Sequence, residues 1–240
     1  MRAVLLAGGK GTRLQPFTAT FPKPLMPLDD VPVIELLIEQ LRHHGVDDLT
    51  VVTGHLAELI RAFLGDGERF GVRITYLKEE TPLDTAGCLG LIDPGTEPLL
   101  VMNGDLLTTL DFSRLVEFHC REQPAATISL YRRQVKIDLG VVESDASGRL
   151  IDYIEKPTYD FSVSMGVYCF DPKALAYVAR GERLPMPQLM LRLRDAGEKV
   201  ACYREDCYWL DIGRPDDYAR AIEDFRNDRS RFLPVRKRAA

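Results

Sequence analysis

The sequence predicts an α/β fold with a mixed, mostly parallel central sheet flanked by helices, and with a more β-rich second half. Two observations carry this prediction. In the first half, short apolar runs alternate with amphipathic segments, which is the pattern of βαβ units. In the second half, four strand-like runs follow one another with polar turns such as Ser147-Gly148 between them.

The elements follow in chain order. Strands are predicted at 3–6, 49–53 and 99–102, and helices at 33–43 and 56–64. Strands at 126–131, 140–143, 150–155 and 166–170 make up the second half. Helical patterns return at 184–194 and 215–225, where Pro185 and Pro215 can each occupy a first turn.

The length of the chain and the charge of its last residues predict its domain organisation. With 240 residues, 45% of them hydrophobic, the chain is long enough for one large domain. We predict a single domain over 1–225, divided into a first half (about 1–110) and a more β-rich second half (about 111–225). Residues 226–240 form a basic tail, predicted as a loosely packed, solvated end.

The composition also argues against several classes of protein. A net charge of -5 does not suit a broad cationic surface for nucleic acid or anionic membranes. Five scattered cysteines without CxxC spacing indicate a reduced compartment and disfavour a zinc site. No apolar run is long enough for a signal peptide or a membrane span, so a cytoplasmic protein is expected.

The stretch from Gly8 to Arg13 is a candidate anion-binding loop. A predicted strand runs into Gly8-Gly9-Lys10-Gly11-Thr12-Arg13, where glycines let backbone N–H groups approach phosphate oxygens closely. Neither the GxGxxG dinucleotide pattern nor the P-loop pattern fits, because Leu14 stands at the third glycine position and Gly11 follows Lys10. An ordinary strand-to-helix turn is the alternative interpretation.

Pro22-Lys23-Pro24 strengthens the case for a polyanion site. Two prolines restrict the backbone on either side of Lys23, which limits where this cation can point. From Met1 to Pro27 the chain carries four cations and no acidic residue, although the whole protein is acidic. The pattern therefore predicts that Lys10, Arg13 and Lys23 meet a bound polyphosphate.

Two acidic residues at predicted strand ends are candidates for binding the divalent cation that accompanies a polyphosphate. Asp105 ends the apolar run 98–105, and Asp211 follows Trp209-Leu210. Mg²⁺ commonly takes one or two protein carboxylates alongside substrate phosphates. A turn at Asn103-Gly104-Asp105 and a capping role for Asp211 are the structural alternatives.

Candidates for a second ligand lie between these two acids. Glu155 can accept hydrogen bonds from hydroxyl groups, and Lys156 is fixed by Pro157. Gly140 and Gly166 allow close backbone contact with a ligand, or are simply strand glycines.

Taken together, the motifs resemble those of the sugar-1-phosphate nucleotidylyltransferases, also called nucleotide-sugar pyrophosphorylases. The chain is most similar in appearance to short forms of the mannose-1-phosphate guanylyltransferase type. The matching segments span roughly 3–225 and are, in order, 6–14, 22–25, 85–87, 103–105, 140–142, 155–157, 165–168 and 209–213.

The resemblance implies a Rossmann-like nucleotidyltransferase fold and attack of a sugar 1-phosphate on the α-phosphorus of a nucleoside triphosphate, with Mg²⁺ as cofactor and pyrophosphate as by-product. Arg13 and Lys23 would be the catalytic residues, and Asp105 and Asp211 the metal ligands. The nucleotide would be bound by Leu6, Ala7, Gly8, Gly9, Gly11, Thr12, Arg13, Lys23, Thr85, Gly87 and Asp105. The sugar phosphate would be bound by Gly140, Glu155, Lys156 and Gly166. On this resemblance, about 1–110 would be the nucleotide-binding half and about 111–225 the sugar-phosphate half.

The resemblance leaves several alternatives open. Guanylyl transfer from GTP to a mannose- or heptose-like 1-phosphate is the favoured subtype, uridylyl or other base transfer is the alternative, and a non-catalytic nucleotide-sugar-binding subunit is a rival class. Asp84 stands where many relatives have glycine, which bears on the choice of base. The chain ends soon after the last motif, so no second enzymatic domain is expected, and the sequence allows a homo-oligomer.

Overall fold

Strands from both halves of the chain join one seven-stranded sheet in the computed structural model, which describes residues 1–233. The strands are β1 (Arg2–Leu6), β2 (Pro27–Leu28), β3 (Val31–Pro32), β4 (Asp48–Thr53), β5 (Arg73–Lys78), β6 (Leu99–Asn103), β7 (Leu106–Thr108), β8 (Ala126–Lys136), β9 (Val141–Ser144), β10 (Leu150–Ile154), β11 (Thr158–Phe170), β12 (Val200–Arg204) and β13 (Trp209–Asp211). The helices are α1 (Val33–His43), α2 (Ala57–Leu64), α3 (Asp84–Gly87), α4 (Phe112–Glu122), α5 (Met186–Asp195), α6 (Pro215–Asn227) and α7 (Arg229–Phe232).

The central sheet is mostly parallel, as the sequence predicts. Its strand order is β12-β8-β11-β6-β1-β4-β5, and β11 runs antiparallel to both of its neighbours. β1 pairs in parallel with β4 and β6, so that Leu6 lies opposite Val52 and Asn103. Because these strands end together, the loops that follow them meet at one edge of the sheet.

Each face of the sheet carries its own hydrophobic core, because successive side chains of a strand point to opposite faces. Leu5 and Met102 pack on one face with α1, whose Leu37 is fully buried. Val4 and Val101 pack on the other face with α5. The longest helix described is α6, with 13 residues, and no described helix is long and apolar enough to cross a membrane.

Most predicted elements are present with small shifts of their ends. The helix predicted at 184–194 is α5, and Pro185 is its N-cap rather than a first-turn residue. The strands predicted at 126–131 and 166–170 continue as a longer ribbon in β8 and β11. The ribbon escaped prediction because its outer part is polar, with Arg132 paired to Asp160 at 2.9 Å.

The prediction of a loosely packed tail from residue 226 is wrong for residues 226–233. α6 continues to Asn227, and α7 places the Phe232 side chain in the core with 2% exposure. Two of its basic residues form ion pairs with the segment after β2. Arg226 Nε lies 2.7 Å from Asp29 Oδ1, and Arg229 pairs with Asp30. The rest of the predicted tail, 234–240, lies outside the described residues.

Candidate active site

A cavity of about 730 Å³ lies at the carboxyl edge of the sheet, where the segments after β1, β4, β5 and β6 meet. Open α/β sheets bind their ligands at this edge. The cavity is lined by Leu6, Ala7, Gly8, Gly9, Lys10, Lys23, Pro24, Val52, Gly54, His55, Lys78, Glu79, Glu80, Pro82, Asp84, Thr85, Asn103 and Asp105. It therefore brings together the candidate loop, Lys23, Thr85 and Asp105.

In the glycine loop, Gly8 is closely packed, whereas Gly9 has no neighbouring atoms in the direction of a side chain. A Cβ on Gly8 would lie 3.1 Å from Glu79 Oε2, whereas a Cβ on Gly9 would meet nothing within 4 Å. Gly11 adopts a φ of +61°, and its carbonyl accepts a 2.7 Å hydrogen bond from Thr18 Oγ1. Gly9 consequently leaves its backbone open to a ligand, and Gly11 starts the turn that carries the exposed Thr12 and Arg13.

Lys23 reaches Asp105 across the site. The lysine starts a short 3-10 turn, Lys23–Leu25, with Pro22 extended before it. Its ammonium forms an ion pair with Asp105 Oδ2, and the two side chains are only 10% and 24% exposed. A cation held this way is preorganised toward charge that arrives with a ligand.

Asp105 and Asp211 are brought together by a two-stranded sheet. β13 pairs with β7 so that Asp211 lies opposite Leu106, and the Ile212 N–H donates to Asp105 O at 3.1 Å. Burial, followed by the negative charge of Asp105, raises the pKa of Asp211, against the lowering effect of Lys23 and Arg13. Two carboxylates and two cations thus act on one another, and two of the four groups, Lys23 and Asp105, line the cavity.

This carboxylate pair fits a divalent cation. The Asp105 Oδ1 atom is buried and accepts no hydrogen bond from the described residues, so it is available to a hard cation. Within residues 1–233, no group of three or more His, Cys, Asp and Glu side chains forms a complete metal site. The chain would therefore supply part of the coordination, and a ligand or water the rest.

Arg13 lies beside the carboxylate pair. A Cβ added to Gly213 would lie 3.0 Å from Asp211 Oδ2 and 3.1 Å from an Arg13 guanidinium nitrogen. Glycine at 213 consequently lets these two side chains approach the backbone closely. The contact joins the first-half loop to the segment after β13.

The candidate sugar-side residues occupy two regions. Gly166 has a φ of +71°, and a Cβ there would lie 2.5 Å from Nδ2 of the cavity-lining Asn103. Glu155 and Lys156 are exposed after β10 and contact each other at 3.8 Å, with Lys156 at a φ of +47°. Gly140 packs against Tyr153, whose hydroxyl a Cβ would meet at 2.3 Å. Only Gly166 is thus placed against a cavity wall.

Of the two predicted site residues in α3, Thr85 lines the cavity and Gly87 packs against the backbone at Glu182. Thr85 lines the cavity, and its Oγ1 accepts a 2.8 Å hydrogen bond from the Met186 N–H. A Cβ on Gly87 would lie 2.2 Å from Glu182 O, so glycine at 87 is required by packing. The structure does not place Gly87 on the cavity wall.

Two acidic residues of the cavity wall, Glu79 and Glu80, are not among the site residues predicted from the sequence. Glu79 directly follows β5, and because this strand was not predicted, no site residue was expected at its end. The signal was present in the apolar residues Val72, Ile74 and Leu77.

The fold and this site define an α/β protein with a ligand cavity at the carboxyl edge of its sheet, and comparison with known proteins identifies the family. The nucleotidyl transferase family model matches residues 2–228, so the chain belongs to that family. It is 35% identical over 242 residues to a UTP–glucose-1-phosphate uridylyltransferase of Synechocystis, covering 92% of this chain and 62% of the relative. It is 32% identical over 232 residues to a mannose-1-phosphate guanylyltransferase of Mycobacterium tuberculosis, covering 92% of this chain and 64% of the relative.

A solved structure of similar fold agrees with the family. A protein of Bacillus anthracis, assigned as a glucose-1-phosphate thymidylyltransferase and crystallised with sucrose, superposes with a TM-score of 0.77 at 26% identity. The match covers 95% of this chain and 96% of that one. The chain spans less than two thirds of the length of the Synechocystis and Mycobacterium relatives, 62% and 64%.

Proposed function

We propose that the chain transfers a nucleotidyl group from a nucleoside triphosphate to a sugar 1-phosphate, forming a nucleotide-sugar and releasing pyrophosphate. One observation carries the proposal. Lys23 and Asp105 line a cavity together with Gly8, Gly9 and Lys10 of the glycine loop, and Asp211 lies next to this ion pair. Cations beside paired carboxylates suit a triphosphate with its divalent metal.

In this proposal, Lys23 and Arg13 neutralise the triphosphate. Nucleotidyl transfer asks the protein mainly for positioning and charge stabilisation. The proline-flanked Lys23 leaves Asp105 for the phosphates once the nucleotide binds, and the exposed Arg13 folds toward the same oxygens. Open backbone at Gly9 completes the anion-binding surface.

Asp105 and Asp211 would hold Mg²⁺. When bound, Mg²⁺ would supply positive charge that offsets the charge of the phosphates during the transfer. The Asp105 Oδ1 atom, which accepts no hydrogen bond from the described residues, would be one ligand atom. The pKa of Asp211 is raised first by burial and then by the charge of Asp105, and a cation would relieve the repulsion between the two carboxylates.

The sugar phosphate would approach from the side of β11. Gly166 lets the backbone come close to Asn103, and the exposed Lys156 and Glu155 are free to close on a phosphate and on hydroxyl groups. The strained φ of Lys156 supports a functional role, because such backbone strain concentrates at binding sites.

For the subtype we propose guanylyl transfer from GTP to a mannose- or heptose-like 1-phosphate. The motif resemblance and the Mycobacterium relative support this choice. The Synechocystis relative supports uridylyl transfer to a glucose-type substrate as the alternative.

A substrate panel tests the proposal. The purified protein is incubated with Mg²⁺, each nucleoside triphosphate and each of several sugar 1-phosphates, and pyrophosphate release is followed. Release that requires both substrates and is largely lost in Asp105→Asn supports the proposal, because a neutral amide is a poor ligand for a hard cation. Binding of a nucleotide-sugar without pyrophosphate release from any pair would instead support a non-catalytic subunit. Activity with UTP alone would replace the guanylyl subtype by the uridylyl one.

A further inference from the structure

Thr18 is the one buried residue of the loop that separates the two proposed catalytic cations. This loop runs from residue 15 to residue 21, between Arg13 and Lys23, and all its other residues are exposed. Thr18 is only 1% exposed and lies at the centre of a short 3-10 turn, Phe17–Ala19. The loop therefore contributes a single side chain to the interior of the protein, and that side chain is polar.

The Thr18 hydroxyl fixes the peptide at which the Arg13 turn begins. Its Oγ1 donates to the Gly11 carbonyl oxygen at 2.7 Å, and the N–H of the fully buried Leu14 donates to the same oxygen at 2.9 Å. A carbonyl oxygen has two lone pairs, so both are used here. The turn Thr12–Leu14, which carries Arg13, is consequently held in one orientation.

The Thr18 methyl group packs where Gly11 approaches the segment of Lys23. A Cβ on Gly11 would lie 3.0 Å from Thr18 Cγ2 and 3.2 Å from Lys23 Cβ. These three residues therefore pack together without room for a further side chain. The methyl contact is separate from the hydrogen bond, because valine would keep the first and lose the second.

Arg13 depends on its turn for placement because the residue itself is exposed. One of its guanidinium nitrogens lies 3.1 Å from where a Cβ on Gly213 would be, beside Asp211. A long exposed side chain loses much rotamer freedom when it is held in one place. A displacement of about 1 Å in a positioned group can lower a rate by about 10²-fold. The orientation of the turn therefore bears directly on how the guanidinium meets developing charge.

From these contacts we infer that Thr18 is a positioning residue for Arg13. Its hydroxyl, acting through the Gly11 carbonyl, holds the turn that presents the guanidinium to the transferred phosphate. The inference rests on the proposed nucleotidyl transfer and adds to it a buried residue that does not line the cavity. Thr18 thus acts on the reaction only through Arg13.

Steady-state kinetics of Thr18→Val, which keeps the size and the methyl group but removes the hydroxyl, tests the inference. We expect kcat to fall by about 10- to 100-fold, the cost of a small misplacement of the guanidinium, with the KM for the sugar 1-phosphate little changed. Thr18→Ser keeps the hydroxyl and recovers most of kcat. Thr20→Val makes the same change at an exposed threonine of the loop and keeps the wild-type kcat.

A double-mutant cycle with Arg13→Ala separates positioning from a merely structural role. If Thr18 acts through Arg13, Thr18→Val changes kcat by less than about 3-fold once the guanidinium is absent, because residues that act as a unit are not additive. A structural role lowers kcat by the same factor in both backgrounds. Urea unfolding of each variant confirms that folded proteins are compared.

The outcomes distinguish this inference from the proposed reaction. An unchanged kcat in Thr18→Val, or an equal loss with and without Arg13, overturns the role of Thr18 and leaves the reaction intact. A folded wild type that releases no pyrophosphate with any substrate pair overturns the reaction, and the inference with it. If Thr18→Val does not fold, Thr18→Ala is compared with Thr18→Ser. A loss of kcat in the alanine variant alone supports the role of the hydroxyl, and equal values overturn it.

Discussion

At the scale of single residues, the site depends on cations held close to carboxylates in an acidic protein. Arg13 flanks Gly213 together with Asp211, and Lys23 is paired with Asp105. These two cations come from the first 27 residues, in a chain whose net charge is -5. The anion-binding capacity is therefore local rather than a property of the overall field.

Removing the Arg13 guanidinium should impair catalysis more than binding. We expect Arg13→Ala to lower kcat by about 10²- to 10³-fold, the scale of losing one preorganised charge-stabilising donor. Steady-state kinetics with the best substrate pair measures it, and Arg13→Lys, which keeps the charge, should recover part of the loss. A higher KM with unchanged kcat would assign Arg13 to substrate binding alone.

Asp84 has a backbone conformation that glycine adopts more readily. Its φ of +66° lies in the left-handed region, which glycine and, less readily, aspartate adopt. We expect Asp84→Gly to keep the free energy of unfolding within about 1 kcal/mol, and Asp84→Ala to lower it by about 1–2 kcal/mol. Urea unfolding of the three proteins measures this, and equal loss in both variants would show that the Asp84 side-chain contacts outweigh backbone strain.

At the scale of elements, the last helices complete the core that lies on the α1 face of the sheet. Gln40 of α1 donates from Nε2 to Phe232 O at 2.8 Å and to Thr108 O at 3.0 Å. The Phe232 ring lies 5.1 Å from that of Tyr208. α7 thus connects α1 to the segment that leads into β13 and Asp211.

Truncating the Phe232 side chain should be strongly destabilising. We expect Phe232→Ala to lower the free energy of unfolding by about 3–5 kcal/mol, because it removes a buried ring and leaves a cavity. Phe161→Ala, at a ring that is 51% exposed, serves as the control with little change. Equal stability of the two variants would mean that α7 adds nothing to the core.

The packing of α4 against β8 buries a histidine and makes stability depend on pH. His119 is 2% exposed and lies 2.8 Å from Thr127 Oγ1, and burial lowers its pKa from 6.5. The unfolded chain therefore binds the proton first, so stability falls as the pH drops below about 6.5. His44, whose pKa burial also lowers, adds to the same loss.

Replacing His119 with glutamine should reduce this pH dependence. Glutamine does not titrate and can still hydrogen-bond Thr127, so we expect a smaller loss of unfolding free energy between pH 7 and 5 than in wild type. Chemical unfolding at both pH values measures the difference. An equal loss in both proteins would assign the pH dependence to other groups.

Strands with continuous apolar runs could be predicted from the sequence. A strand whose apolar pattern is interrupted by exposed polar residues could not. β1, β4 and β6 are buried central strands and were predicted almost to the residue. β5 lies at the edge of the sheet with exposed Arg73 and Thr75, and was missed, and Glu79 with it. The Lys23–Asp105 contact joins residues 82 positions apart, which no local pattern encodes.

At the scale of the whole molecule, one sheet and several hydrogen bonds join the two halves around the cavity. β11 and β8 of the second half extend the sheet of the first half next to β6. The Trp209 indole N–H donates to Met165 O at 2.8 Å, which ties the segment before Asp211 to the segment before Gly166. The proposed nucleotide and sugar sides therefore share one rigid frame, as a reaction between two bound substrates requires.

In the proposed reaction, a sugar 1-phosphate attacks the α-phosphorus of the nucleotide. Isotope tracing tests it most directly, with GTP labelled at the α- or the γ-phosphate, Mg²⁺ and a sugar 1-phosphate that supports turnover. We predict that α-label appears only in the nucleotide-sugar and γ-label only in pyrophosphate, in equal amounts, and that Asp105→Asn yields neither. Transfer of γ-label to the sugar, or its release as inorganic phosphate, would contradict the account.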